Sequence, residues 1–304
     1  MNINETLAKE FKLRQEQIDN TVSLIDDGKT IPFIARYRKE LTGSLDDQLL
    51  REIFDRLTYL RNLEKRKEEV AASITEQGKM TDEIAAAIEK AAALVEVEDI
   101  YRPFKPKRKT RGSVARERGL EPLAEFIMAQ NVASDPNAEA ENYIDLEKDV
   151  PDRAAALQGA MDIIAEDISD DAELRKTLRA MITKEGMVSS KAADPEEETV
   201  YSNYYDFSEP VFRIAGHRVL AIDRGEREDK LKVSVAVPDG RGEKVVTDKY
   251  VKNNSPCGEL VKSAAVDGYG RLIFPSVERE IRADLTSKAC EAAIKVFASN
   301  LRQL

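Results

Sequence analysis

Apolar residues recur at three- and four-residue spacing over most of the chain, the period of helices that bury one face. Leu7, Phe11, Ile18, Val22 and Ile25 predict helix over residues 4–27 in two pieces, with Gly28 as the stop and Pro32 at the start of a further short helix. Short helices joined by tight turns fit either a helix-turn-helix or an ordinary small bundle. Ser44-Leu-Asp-Asp47 is a helix-start signal, a capping hydroxyl followed by acids in the positive first turn. That helix runs to about Gln77, with Leu49, Ile53, Leu57, Leu60, Leu63, Val70 and Ile74 close to one face, and Gly78 ends it. Thr81 caps an alanine-rich helix to about Val97.

The second half keeps the helical period and then breaks it. Pro151 opens a helix carrying Ala154, Leu157, Met161, Ile164 and Ile168, and Asp170 opens another carrying Leu174, Leu178, Met181 and Ile182. Met187 to Ser190 reads as a short strand, and Gly216 to Arg224 as a short helix. Leu231-Lys-Val-Ser-Val-Ala-Val237 alternates with period two, Asp239-Gly240 is a turn signal, and Glu243 to Val251 offers a return strand. A β-hairpin is therefore expected near 229–252, followed by two long helices from Gly258 and from Pro275. The predicted fold is mainly α: a multi-helix scaffold with a helix-turn-helix-like start and one small β-hairpin excursion. Two regions are expected, 1–130 with a basic connector and 131–304 with the hairpin and the long terminal helices.

Composition narrows the function classes. The 304 residues are 34% charged and 42% hydrophobic, lack tryptophan and carry a formal charge of −10. No apolar run approaches the ~20 residues that span a bilayer, and the N-terminus has no signal-peptide core, so no membrane partner and a cytoplasmic location are expected. Cys257 and Cys290 suit neither a disulfide framework nor close metal-ligand spacing. His217, the single histidine, stands at a predicted helix start, the place of a cap or a packed ring. No phosphate-binding loop, nucleophile elbow or zinc-protease motif is present. Val266-Asp-Gly-Tyr-Gly270 resembles a nuclease-like Asp-Gly turn, but its flanks read as helix and a two-metal site needs more carboxylates. No catalytic residue, metal site or cofactor is expected.

One segment departs from the acidic background. Ile100 to Gly119 holds eight cations, Arg102, Lys105, Lys107, Arg108, Lys109, Arg111, Arg116 and Arg118, against the single acid Glu117. Pro103 and Pro106 prevent a continuous helix, so Tyr101 to about Gly112 should be an extended, exposed connector, with Ser113 opening a short helix. Such a segment either neutralises nucleic-acid phosphates, with Tyr101 and Phe104 stacking on bases, or pairs with acids of neighbouring helices. The candidate binding residues are Arg102, Lys105, Lys107, Arg108, Lys109, Arg111 and Arg116. A smaller cluster, Arg36, Arg38 and Lys39, reads as solvated charge, and Tyr201, Tyr204, Tyr205 and Phe207 read as core beneath a loop.

The same segment carries a family resemblance. Tyr101-Arg-Pro-Phe-Lys-Pro-Lys-Arg-Lys-Thr-Arg111 and Ala115-Arg-Glu-Arg-Gly-Leu-Glu-Pro-Leu-Ala124 resemble the signature of the bacterial Tex transcription accessory proteins. So do Ile31-Pro-Phe-Ile-Ala-Arg-Tyr-Arg-Lys-Glu-Leu-Thr-Gly43, His217-Arg-Val-Leu-Ala-Ile-Asp-Arg-Gly225 and Arg271-Leu-Ile-Phe-Pro-Ser-Val-Glu-Arg-Glu-Ile-Arg282. Small departures are Ser44, where the family pattern has a second glycine, and Gly216, where it has serine. The resemblance implies a helical N-terminal scaffold with a helix-turn-helix. In the family a ribonuclease-H-like domain, helix-hairpin-helix repeats and an S1 RNA-binding domain follow, and this chain is expected to end before the first of these. It also implies a non-enzymatic role in transcription with RNA or DNA as partner. A protein-interaction scaffold for the transcription machinery, with no nucleic-acid contact in this segment, is the alternative.

Overall fold

Caps and one-sided apolar faces build the N-terminal helices of the computed structural model, which describes residues 2–105, 109–238 and 240–303. The chain divides by packing into two units, Met1–Lys105 and Pro106–Leu304. The first unit is wholly helical among its described residues: α1 (Ile3–Phe11), α2 (Gln15–Asp26), α3 (Ile31–Tyr37), α4 (Lys39–Thr42), α5 (Asp47–Glu76), α6 (Asp82–Lys90) and α7 (Leu94–Tyr101). Asn2 caps α1, Thr81 caps α6, and Asp46 rather than Ser44 caps α5 by accepting from the Leu49 N–H at 2.8 Å. Helix α5 serves two cores along its length. Leu50, Ile53, Leu57 and Leu60 meet Leu7, Ile18, Val22 and Ile34, whereas Leu63, Val70 and Ile74 meet Ile88 and Val97.

The second unit holds α8 (Arg111–Glu117), α9 (Glu121–Ala129), α10 (Pro136–Ala140), α11 (Arg153–Ser169), α12 (Ala172–Glu185), α13 (Gly216–Arg227), α14 (Arg241–Tyr250), α15 (Pro256–Gly268) and α16 (Phe274–Gln303). Strands β1 (Met187–Ala192), β2 (Asp206–Pro210) and β3 (Leu231–Ala236) complete it. Because α8 and α9 both pack on α11, they fall with the second unit, whereas the sequence reading drew its division near residue 130. Helix α11 presents Ala156, Gly159, Ala160 and Ala165, all buried, so neighbouring helices approach closely. At its crossing with α15 a Cβ on Gly268 would lie 2.9 Å from the Ala165 carbonyl oxygen and 3.3 Å from its Cα. Only glycine fits there.

One expectation for this unit is corrected. The return strand of the 229–252 hairpin is helix α14 instead. Gly242 and Val246 are buried and Tyr250 is half-buried, a four-residue spacing, while alternation would send adjacent Val245 and Val246 to opposite faces. Strand β3 pairs with β1, Met187 opposite Ala236 and Lys191 opposite Lys232, and β1 pairs on its other side with β2. The result is a three-stranded antiparallel sheet of order β2-β1-β3. The Val235 N–H, on the outer edge of β3, donates to Glu278 of α16 at 2.7 Å. The two long helices expected on either side of Pro275 are α15 and α16. Between them residues Tyr269–Ile273 form a π turn in which the Phe274 N–H donates to the carbonyl five residues back. The widened turn makes room for the ring at the carbonyl it would otherwise strike.

Polar links tie α12 to its neighbours. Asp171 caps α12 through the Leu174 N–H and accepts from Lys249 Nζ and Tyr250 Oη of α14. Arg175, fully buried, donates to Glu280 of α16 at 2.6 Å, and Arg179 donates to the other oxygen of the same carboxylate at 2.6 Å. Burial pushes the Asp171 carboxyl up, but its hydrogen bonds from Lys249, Tyr250 and the Leu174 N–H outweigh this and hold it below the ordinary value.

Two stability predictions follow from these contacts. Gly268→Ala should destabilise the fold by about 1–3 kcal/mol, because the new methyl meets backbone; an unchanged urea midpoint would contradict this account of the crossing. For Asp171 the folded pKa lies below the unfolded one, so its stabilisation is present above about pH 4 and is lost as pH falls through the folded value. Asp171→Asn should cost about 1–3 kcal/mol at neutral pH, and the difference from the parent chain should shrink toward zero in acid. Urea midpoints across that range measure it, and a pH-independent loss would refute the charge assignment.

Candidate nucleic-acid interface

The basic segment begins anchored rather than extended. Tyr101 ends α7, with its hydroxyl 3.0 Å from Ser73 Oγ and the Arg66 guanidinium 5.4 Å from its ring centroid. A 3₁₀ turn, Arg102–Phe104, follows, and Gln77 Nε2 donates to the Phe104 carbonyl at 3.0 Å. Tyr101 and Phe104 pack against the Leu63–Ile74 core, so they anchor the segment and are not the free stacking platform the sequence suggested. The expected connector from Tyr101 to Gly112 is thus helical or turned at both ends. Lys107 and Arg108 lie outside the described residues.

Beyond them, helix resumes two residues before Ser113. Thr110 caps α8 and exchanges a capping box with Ser113, whose N–H donates to Thr110 Oγ1 at 3.0 Å while the Thr110 N–H donates to Ser113 Oγ at 2.8 Å. Gly112 and Ala115 are buried against α11. A Cβ at Gly112 would lie 2.5 Å from Glu166 Oε2 and 3.2 Å from the Asp162 carbonyl oxygen, so α8 sits as close to α11 as glycine allows.

The cations fall into two groups. Arg116 turns inward: it donates to Glu166 at 2.9 Å and Glu121 at 3.3 Å, and to Asp167. Burial pushes the Asp167 carboxyl up while Arg116 pulls it down, and the net direction is up. Arg118 pairs with Asp149. Arg102 is half-buried and engaged with a partner. The other group faces solvent. Lys105 and Arg111 are exposed and make no ion pair among the described residues. Lys109 reaches Glu117 only at 3.6 Å, with both side chains about two-thirds exposed, a geometry worth at most about 1 kcal/mol.

The groups considered for catalysis do not converge. His217 is exposed, Cys257 is buried with its thiol pushed up by burial, and Cys290 is exposed. Asp267 lies within α15 and pairs with Arg271 at 2.6 Å. Among the described residues no three His, Cys, Asp or Glu side chains are grouped to hold a metal ion, and no helix is long and apolar enough to cross a membrane.

The smaller cluster read as solvated charge stays exposed at Arg36 and Lys39, and two aromatics lie beside it. In α3, Phe33 and Tyr37 stack at 5.3 Å, and the Lys29 ammonium and Arg38 guanidinium lie 5.9 and 5.3 Å from the Phe33 centroid. Its signal in the sequence is that residues 28–39 hold four cations and no acid, with the two aromatics four residues apart.

The fold and this segment define a mainly helical scaffold that presents exposed cations. The Tex central region-like family matches residues 131–297 and the Tex-like protein N-terminal domain matches residues 1–75, and the chain belongs to the Tex family. It is 44% identical over 306 residues to the uncharacterized protein YdcI of Bacillus subtilis, covering 99% of this chain and 43% of that protein. It is 39% identical over 320 residues to the transcriptional accessory protein Tex of Neisseria gonorrhoeae, covering 100% of this chain and 41% of that protein. It is 30% identical over 304 residues to the human S1 RNA-binding domain-containing protein 1, with 94% and 30% covered. The chain therefore spans about two-fifths of the length of these bacterial relatives.

The division among the cations is testable by stability alone. Arg116→Ala removes the guanidinium that donates to the nearly buried Glu166 carboxylate and to Asp167 and should cost about 1–3 kcal/mol, whereas Arg111→Ala should stay within about 0.5 kcal/mol of the parent chain. Denaturation of the two variants side by side decides it, and equal losses would overturn the assignment.

Proposed function

We propose that this chain is a non-catalytic, cytoplasmic part of a transcription accessory protein that holds the phosphate backbone of RNA or DNA. Lys105, Lys109 and Arg111 make the contacts, and Lys107 and Arg108, outside the described residues, belong to the same run. The observation that supports this reading is that Lys105 and Arg111 stay exposed and unpaired among the described residues, while Arg116 is spent on α11. The names of the relatives, a transcriptional accessory protein and an S1 RNA-binding domain-containing protein, agree with it. Arg116 belongs to the sequence-predicted set but serves to seat α8, so it supports the interface from beneath.

Phosphate contacts carry no base information. Replacing Lys105, Lys109 and Arg111 together by Ala should weaken binding to all sequences about equally. The slope of log K against log salt should fall by roughly 2–3, since each neutralised phosphate contributes about 0.7–0.9. Fluorescence anisotropy with labelled RNA and DNA at several salt concentrations measures both. Unchanged affinity and slope would reject this reading in favour of a protein-interaction scaffold.

A further inference from the structure

We infer that α3 carries a second nucleic-acid site, a platform on which Tyr37 stacks an unpaired base of a single strand while the cations around it hold the adjoining phosphates. The helix buries Ile34 completely and turns Phe33, Arg36 and Tyr37, three and four residues apart, to its other side. Tyr37 is 61% exposed, and its ring is steadied from behind by Phe33 at 5.3 Å and an interplanar angle of 46°. Lys29, Arg36 and Lys39 are exposed, and with Arg38 they make no ion pair among the described residues. Glu40 is the one acid between residues 28 and 43. Lys29 and Arg38 lie over the neighbouring Phe33 ring, and Arg38 also donates to the Tyr37 carbonyl at 2.9 Å. An exposed aromatic within a run of cations that make no ion pair among the described residues matches the two things a single strand offers, a free base face and a phosphate line. A duplex offers no unstacked base, so the site selects single strands. The inference rests on the reading that the chain contacts nucleic acid, but not on the 105–111 cations.

The chain lacks tryptophan, so Tyr37→Trp places a lone fluorophore at the platform. Titrating this variant with a short oligothymidine should quench its emission, and a duplex of equal length or polyglutamate should not. In the parent background Tyr37→Ala should weaken oligothymidine binding by about 5- to 150-fold, with Tyr37→Phe within about threefold of the parent. Quenching that survives replacement of Lys105, Lys109 and Arg111 by Ala supports the α3 site even if those cations prove silent. Oligothymidine bound by anisotropy with the tryptophan unquenched would overturn the inference. So would quenching lost together with the 105–111 cations, or equal quenching by polyglutamate, which would make the partner an acidic protein.

Discussion

The close approach of helices at α11 is the constraint on which the second unit depends. Gly268 meets the Ala165 backbone from one side and Gly112 meets Asp162 and Glu166 from another, so both crossings are set by the absence of a side chain. Contacts of this kind tolerate no added methylene without moving backbone, since interiors are packed at crystal-like density. Position follows directly from that. With α8 fixed at its minimum distance, Arg116 reaches Glu166 and Asp167 directly, whereas Arg111 at the opening turn stays exposed and acts on Asp162 only through its charge. The split between structural and available cations therefore arises from helix packing, not from any difference in the residues themselves.

That logic marks what sequence could reveal about the site. The cation run was legible as composition, but which members were free was not, because Glu166 and Asp167 lie about fifty residues further along the chain. Tyr101 and Phe104 were misread for the same reason. Their partners Arg66 and Ser73 belong to α5 and Gln77 to its C-terminal cap, and nothing local distinguishes an aromatic that stacks on a ligand from one that locks a turn. The α3 cluster is the converse case. Its partners are within ten residues, and the spacing of Phe33 and Tyr37 already placed both rings on one helical face.

The fold shows the same dependence on locality. Helix α5 was readable because its caps and its apolar face are written within its own thirty residues. The sheet was not, because β3 pairs with β1 about forty residues upstream, while the adjacent turn signal invited a return strand. The four-residue spacing of Gly242, Val246 and Tyr250 was the overlooked local sign of α14. Pro275 marked the junction of α15 and α16, but how the chain crosses it was not legible: a proline forbids the regular hydrogen bond, a π turn removes the need for it, and that accommodation is invisible in a pattern of apolar positions.

Charge distribution bears on what the proposed contacts can do. A chain of net charge −10 repels a polyanion at long range, yet at physiological salt that repulsion is screened beyond about 8 Å. Inside that distance the local surface decides, and both proposed surfaces are locally cationic. Encounter would then gain nothing from steering, and binding would rest on a few short-range phosphate pairs together with one stacked base. Such contacts are modest and strongly salt-dependent. They suit a segment that adds to binding by other parts of a longer protein, because linkage turns weak contacts into high effective concentration. The acidic background would then be useful in its own right: it would oppose indiscriminate coating of nucleic acid and favour contact at the two places where exposed cations outnumber acids.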